Sequence, residues 1–189
     1  MDPYLDAWRA ASIAFDVLAA SRASPRQLQE RQTGRMAALL QAALRGSRFY
    51  RTRVGRPEGQ SLRLDEFPVV TKAELMQRFD DWVADPRLRL DELRRFTADP
   101  SRVGEAYLGQ YLVWESSGSS GEPGVFVQDE TALAVYDALE TLRRPALQPT
   151  RRLFDPWYVG ERVAFVGATT GHFASTVSVS RLRRLNPWL

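Results

Sequence analysis

A run of small residues at positions 116–124 is the part of this chain best suited to chemistry. It reads Ser116-Ser-Gly-Ser-Ser-Gly-Glu-Pro-Gly124, with four serine hydroxyls and three glycines. Glycines let a backbone turn tightly and present N–H groups to an anion, and hydroxyls add further hydrogen-bond donors. The spacing therefore favours a phosphate-binding loop. A flexible linker is the alternative, because Ser/Gly-rich composition is also typical of linkers.

The residues on either side of this loop favour the phosphate-binding interpretation. Residues 111–115, Tyr-Leu-Val-Trp-Glu, form a strand-like run before the loop, and residues 125–127, Val-Phe-Val, form a second β-prone run after it. A linker rarely lies between two paired strands. We therefore expect the loop to join two strands and to be a candidate site for ATP phosphates.

The loop resembles that of adenylate-forming enzymes, the acyl-CoA synthetase superfamily, whose usual pattern is S-S/T-G-T/S-T/S-G-x-P. Within that superfamily the chain is most similar to the phenylacetate-CoA ligase branch and its relatives associated with capsular polysaccharide biosynthesis. Two other segments carry the resemblance, which covers roughly residues 47–189. Phe67-Pro-Val-Val-Thr-Lys-Ala-Glu-Leu75, followed by Phe79-Asp-Asp81, resembles the P-x-x-T-K-x-x-L motif. Val166-Gly-Ala-Thr-Thr-Gly-His-Phe173 resembles the GxxxGHF motif.

The resemblance implies an ATP-dependent acid–thiol ligase. In that reaction a small carboxylic acid attacks the α-phosphate of ATP to form an acyl-adenylate and pyrophosphate. A thiol then displaces AMP, and CoA is the candidate thiol. Donors held around the phosphates, together with Mg²⁺, would stabilise the developing charge. The implied phosphate-binding residues are Ser116, Ser117, Gly118, Ser119, Ser120, Gly121 and Pro123; the implied acid-binding residues are Gly171, His172 and Phe173. No catalytic residue and no metal ligand is assigned.

Two departures from the family pattern limit what the resemblance implies. Many members place a lysine at the end of the loop, where this chain has Gly124, and the variable position is Glu122. The family also continues for more than this length again, with a ribose-binding aspartate and a C-terminal domain that carries a catalytic lysine. We therefore expect a helical segment at 1–46 and a truncated adenylate-forming domain at 47–189. The expected partner of this domain is the missing C-terminal part of the same enzyme.

Composition excludes several other classes of site. The chain has no cysteine, which excludes disulfides and thiolate chemistry and fits a cytoplasmic protein. His172 is the only histidine, which excludes a multi-histidine metal site and disfavours a serine hydrolase; a satisfied, half-buried structural role is as plausible for it as substrate binding. No stretch approaches the ~20 apolar residues of a membrane span. We expect no membrane partner.

The charge distribution bears on whether the chain binds nucleic acid or another partner. The formal net charge is +3, and Lys72 is the sole lysine in a chain that is otherwise rich in arginine. Because acids are interspersed with the arginines, the pattern disfavours nucleic-acid binding and indicates a solvated surface. Two alternatives to the ligase stay open, a non-catalytic nucleotide-binding module and an arginine-rich interaction module.

Local signals predict an α/β fold with N-terminal helices followed by a layered, mixed β-sheet with helices, an incomplete portion of an adenylate-forming fold. Pro3 and Ser24-Pro25 are typical helix starts, and the first two helices should end near Ser21 and Gly46. A loop is predicted for 47–64. Thr71 and Glu74 form a capping-box pattern, which makes a structural role for Thr71 and Lys72 more plausible than a catalytic one. Further predicted elements are a helix at 90–96, a helix from Asp129 to Arg144 and a strand at 161–167.

Overall fold

The computed structural model describes residues 3–55, 63–116, 118, 123–147, 166–167 and 170–185. Its strands are β1 (Tyr111–Glu115) and β2 (Val125–Asp129). Its α-helices are α1 (Pro3–Ser21), α2 (Pro25–Gly46), α3 (Arg48–Val54), α4 (Lys72–Gln77), α5 (Phe79–Trp82), α6 (Leu90–Thr97), α7 (Glu130–Leu147) and α8 (Ala174–Leu185). Short 3₁₀ turns lie at Leu64–Glu66 and Pro100–Arg102.

The first two helices begin and end as their sequence signals predict. The Ser24 hydroxyl accepts a hydrogen bond from the N–H of Gln27, and the Gln27 side chain accepts one from the N–H of Ser24 at 2.8 Å. This reciprocal pair satisfies two N–H groups that have no partner within the helix. Asp16 of α1 forms ion pairs with Arg31 and Arg35 of α2, so polar contacts link the two helices.

The predicted loop at 47–64 is wrong over its first part, where α3 forms. Ser47 ends α2 and also caps α3, because its hydroxyl accepts a hydrogen bond from the N–H of Tyr50 at 3.3 Å. Gly55 ends α3 with a φ of 64°, a left-handed conformation that favours glycine. Phe49 is fully buried and holds the short helix against its neighbours. The arginine-rich composition obscured this cap-to-glycine pattern.

Thr71 begins α4 as predicted, but only half of the expected capping box is formed. The Thr71 hydroxyl accepts a hydrogen bond from the N–H of Glu74 at 3.2 Å. The Glu74 carboxylate instead forms an ion pair with Arg53 of α3. Arg53, which lies outside α4, therefore takes the Glu74 carboxylate that a full capping box would bond to the N–H of Thr71. The predicted helix at 90–96 is confirmed as α6.

β1 and β2 form an antiparallel hairpin in which Glu115 pairs with Val125 next to the loop. Val113 and Val125 are buried in an apolar cluster with Met76 of α4, Leu93 of α6 and other side chains of the 72–107 region. Leu112 points to the opposite face of the hairpin and is also buried. Both faces of β1 are therefore covered, as its continuous apolar sequence requires.

Helices α7 and α8 complete the described fold. The Asp129 carboxylate accepts a hydrogen bond from the N–H of Ala132 at 2.9 Å, which confirms the predicted start of α7. The predicted end at Arg144 is wrong, because α7 continues through Pro145 to Leu147. Pro145 lacks the N–H that would donate to a carbonyl of the preceding turn, so the last turn of α7 has one backbone hydrogen bond fewer. The sequence patterns did not predict α8, and most of the predicted strand at 161–167 lies outside the described residues.

The fold class is mixed α/β, mostly helical with a small antiparallel sheet. A single bridge between Glu115 and Phe173 runs parallel to β1. The larger layered sheet of an adenylate-forming enzyme stays a prediction. Among the described helices, none combines the length and apolar character needed to cross a membrane.

Asp85 anchors the start of β1 through a hydrogen bond with Tyr111. Its carboxylate accepts hydrogen bonds from the Arg87 guanidinium at 2.6 Å and from the Tyr111 hydroxyl at 2.7 Å. These donors, Arg87 first, hold the pKa of Asp85 well below its usual range. Because the folded-state pKa is depressed, the stabilisation is present above the ordinary aspartate pKa of about 3.9 and is lost as the pH falls below it.

The substitution Asp85→Asn is therefore expected to lower the free energy of unfolding near neutral pH by about 1–3 kcal/mol, and by less at about pH 3. Urea denaturation at both pH values measures the difference. Asp65→Asn is the matched control, because Asp65 also pairs with an arginine two residues away but on an exposed surface, where solvent screening makes such a pair contribute little to stability. Equal losses in the two variants would contradict the assigned role of Asp85.

Candidate phosphate-binding site

The Ser/Gly loop joins β1 to β2, and hydrogen bonds between Ser116 and Gly124 form a narrow neck at its base. The N–H of Ser116 donates to the carbonyl of Gly124 at 2.9 Å, and the N–H of Gly124 donates to the Ser116 hydroxyl oxygen at 2.8 Å. This reciprocal pair continues the ladder of β1 and β2 by one step. The loop is thus held at its base by the sheet, which is the arrangement that the flanking β-prone runs predict and a flexible linker does not have.

The structure describes part of the predicted phosphate-binding set. Ser116, Gly118 and Pro123 are described, whereas Ser117, Ser119, Ser120 and Gly121 lie outside the described residues. Gly118 has a φ of 67°, in the left-handed region. A residue with a Cβ atom would be strained there, so the glycine meets a backbone requirement of the loop. The Ser116 hydroxyl accepts the bond from Gly124 and keeps its own proton for donation to a ligand.

The segment Gly171-His172-Phe173 lies beside the neck. The carbonyl of His172 accepts a hydrogen bond from the N–H of Glu115 at 2.7 Å, and Phe173 forms the parallel bridge with the same residue. Gly171 has a φ of 77° and turns the chain into this position. The structure therefore brings the two predicted site segments together, one residue of β1 away from the loop.

The His172 side chain is buried rather than open to solvent. It is 2% exposed, and its ring lies 5.6 Å from the ring of Phe96 on α6. Within the described residues, neither ring nitrogen has a hydrogen-bond partner. A buried imidazole without partners is energetically costly, so the expectation of a satisfied structural histidine is not met in the described part of the chain.

Glu115 also organises the floor of the site through its side chain. Its carboxylate accepts a hydrogen bond from the hydroxyl of the buried Thr97 at 2.5 Å. Thr97 ends α6, so this bond joins the helix to the last residue of β1 before the loop. The loop therefore starts from a residue held through both its backbone and its side chain.

Lys72 lies at the site, although its sequence context made a structural role more plausible than a catalytic one. A Cβ atom built on Gly124 would lie 3.1 Å from Cδ of Lys72, so the half-buried lysine side chain passes over the end of the loop. Its ammonium group is two bonds beyond that carbon. Two features of the sequence point to this role: Lys72 is the sole lysine of the chain, and the loop has Gly124 where the resembled pattern often has a lysine.

No family model, curated protein or solved structure matches the chain. The likeness to adenylate-forming enzymes therefore rests on the motifs of residues 67–81, 116–124 and 166–173. The last of these contacts β1 next to the loop, and the first contains Lys72, whose side chain lies close to Gly124. Among the described residues, Lys72, Gly124 and the His172–Phe173 pair lie near the end of β1 and the start of β2.

The arginines of the described surface are largely balanced by neighbouring acids. Asp81 pairs with Arg48 and Arg78, and Glu105 pairs with Arg102. This alternation of charge is typical of a solvated surface and gives the arginine-rich interaction module no specific support. Within the described residues, no group of three acids and histidines could hold a metal ion.

Proposed function

We propose that the loop 116–124 binds the phosphates of ATP, as part of an ATP-dependent acid–thiol ligase of the adenylate-forming type. The observation that carries the proposal is the passage of Lys72 over Gly124 at the end of the loop. This contact supports the proposal because it brings a lysine side chain to the end of the loop, where the family pattern often has a lysine and this chain has Gly124. The neck formed by Ser116 and Gly124 supports the proposal, because a loop held at its base is preorganised for an anion.

The loop supplies hydrogen-bond donors and Lys72 supplies positive charge. Backbone N–H groups near Gly118 and serine hydroxyls donate to phosphate oxygens, and the ammonium group of Lys72 offsets part of their negative charge. Mg²⁺ enters with the nucleotide, and its ligands are mainly phosphate oxygens and water, so the site needs no acidic cluster for it. In the ligase, these groups stabilise the charge that builds on the α-phosphate as the acid attacks.

The acid is assigned to the neighbouring segment at 171–173. Its two aromatic rings and its tight glycine suit an apolar acid, with the buried ring of His172 packed behind the segment against Phe96. The link between His172 and Glu115 holds this segment beside the loop. In this proposal the two reactants of adenylation bind side by side at one edge of the hairpin.

Protection of Lys72 from an amine-reactive reagent tests the proposal. Lys72 and the N-terminal amine are the primary amines of the chain, so mass spectrometry of the labelled protein reads Lys72 without interference from other lysines. We expect MgATP and inorganic tripolyphosphate to slow labelling of Lys72, because both place phosphates over its ammonium group. Adenosine should not slow it, and the N-terminal amine should be labelled at the same rate throughout.

Two results would count against a phosphate site at the loop. One is labelling of Lys72 at an unchanged rate in saturating MgATP. The other is equal protection of the N-terminal amine, since general shielding or reagent quenching would explain both. Protection by MgATP without release of pyrophosphate on addition of acid would favour the non-catalytic nucleotide-binding module.

A further inference from the structure

A cavity of about 610 Å³ lies on the face of the hairpin opposite the Met76 cluster. It is bounded by α1, α7, α8 and the start of β1, and its walls are mainly apolar, with Ile13, Leu112 and Leu133 among them. Its volume is within the range of about 300–1,000 Å³ found for small-molecule sites. A second groove of about 540 Å³ shares Ala10, Ala134 and Asp137 with it and runs on between α1 and α7, so an extended apolar group has room to continue.

This cavity is separate from the phosphate site. The described residues that line it include none from the loop 116–124 or from the segment 171–173. Leu112 lies at the start of β1 and the loop follows its end, a separation of about 13 Å along an extended strand. A ligand in the cavity would therefore not contact the phosphates bound at the loop.

Positive charge exceeds negative charge around the cavity. Arg181 of α8 forms a two-pronged ion pair with Asp137 of α7, at 2.8 and 2.6 Å, which neutralises both groups and fixes one wall. Among the described residues that line the cavity, Arg9 and Arg184 face the carboxylate of Glu130. Arg184 also interacts electrostatically with Glu105, a carboxylate outside the lining that is already paired with Arg102. Arg184 donates one long hydrogen bond of 3.4 Å, to the carbonyl of Val103, out of the five N–H donors that a guanidinium carries.

We propose that this cavity binds a small amphipathic carboxylate, with its apolar part against Ile13, Leu112 and Leu133 and its carboxylate at Arg9 and Arg184. Guanidinium groups match carboxylates through paired N–H donors, and the apolar walls suit an alkyl or aryl body. The ion pair between Arg181 and Asp137 keeps the mouth of the cavity in place without competing for the ligand. This site is independent of the proposed nucleotide function.

Calorimetric titration of the 189-residue chain with octanoate, in the absence of nucleotide, tests the site. We expect saturable binding, weakened about tenfold by Arg184→Gln and by Arg9→Gln, since each removes a charge-assisted contact. Arg183→Gln is the matched control, because Arg183 is on the same helix but does not line the cavity; it should change the affinity by less than about twofold. Octanol, which lacks the charge, should bind more weakly and with the same affinity in all variants.

Three results would overturn the proposal. The first is the absence of saturable octanoate binding with a Kd below about 10 mM. The second is a loss in Arg183→Gln equal to that in Arg184→Gln, which would indicate a general charge effect. The third is a parallel loss of octanol binding in Arg184→Gln, which would show that the arginine shapes the cavity rather than holding a carboxylate.

Discussion

Replacing Lys72 by glutamine is expected to weaken the binding of MgATP by about tenfold or more, because a charge-assisted contact with phosphate contributes about 1.5–3 kcal/mol. Lys72 is the first residue of α4, and glutamine has nearly the same helix propensity as lysine. The helix and its Thr71 cap should therefore persist. Titration with a fluorescent ATP analogue, or calorimetry with MgATP, measures the change in Kd.

Two further variants make the experiment specific. Lys72→Arg keeps the positive charge and should retain more of the affinity than Lys72→Gln. Arg63→Gln removes a charge from an exposed side chain that pairs with Asp65, and it should leave the Kd within about twofold of the original value. If Lys72→Gln binds MgATP as tightly as the unaltered chain, the lysine does not serve the loop and the main support for the proposed function is lost.

The substitution Phe96→Ala is expected to lower the free energy of unfolding by about 3–5 kcal/mol. Phe96 is 2% exposed, and its ring lies 5.3 Å from that of Tyr107 and 5.6 Å from that of His172. The guanidinium of Arg102 lies over the same ring at 4.2 Å. Removal of the ring leaves a cavity beside Tyr107 and His172 and also takes away the contact with the Arg102 guanidinium. Urea denaturation followed by tryptophan fluorescence measures the loss.

A loss of that size can exceed the stability of a small domain, which is about 5–15 kcal/mol in total, so a milder variant is useful. Phe96→Leu keeps an apolar side chain and should lose about 1–3 kcal/mol. Tyr136→Ala is the surface control, because Tyr136 is 59% exposed on α7 and should cost less than about 1 kcal/mol. A smaller loss for Phe96→Ala than for Tyr136→Ala would contradict the packing described beneath the site.

Elements that depend on local signals were predictable from the sequence. The starts of α1, α2, α4 and α7 follow from Pro3, Ser24, Thr71 and Asp129, because capping is decided within one turn. The strands β1 and β2 follow from short apolar runs on both sides of a glycine-rich loop. The predicted α/β class is confirmed at that level, as a mostly helical fold with a small sheet.

Elements that depend on distant contacts were not predictable. Helix α3 is arginine-rich and polar in sequence, and it is held by the burial of Phe49. Helix α8 contains serine, threonine and valine, which are weak helix formers, yet Val177 is fully buried. Its packing is closest at Gly104, where a Cβ atom would lie 2.7 Å from that of Ser180. Tertiary packing outweighs propensity in both helices.

The candidate site shows the same division. The loop and the segment 171–173 were found from their motifs, but the motifs could not indicate that Glu115 joins the two by a backbone hydrogen bond. Lys72 was assigned to a helix start because its neighbour Thr71 explained the local pattern. Its approach to Gly124 depends on how α4 packs against the hairpin, and a spacing of fifty-two positions along the chain carries no periodic signal.

The hydrogen bond from the N–H of Glu115 to the carbonyl of His172 joins the strand that leads into the proposed phosphate site to the segment proposed to bind the acid. A ligand that draws the end of β1 toward itself also draws the 171–173 segment, and the reverse holds equally. Thermodynamic linkage then requires any effect of the phosphates on the affinity for the acid to be matched by an equal effect of the acid on the affinity for the phosphates. The total binding free energy is the same whichever reactant binds first, as for any pair of ligands; what this backbone contact adds is a route by which each reactant can prepare the site for the other.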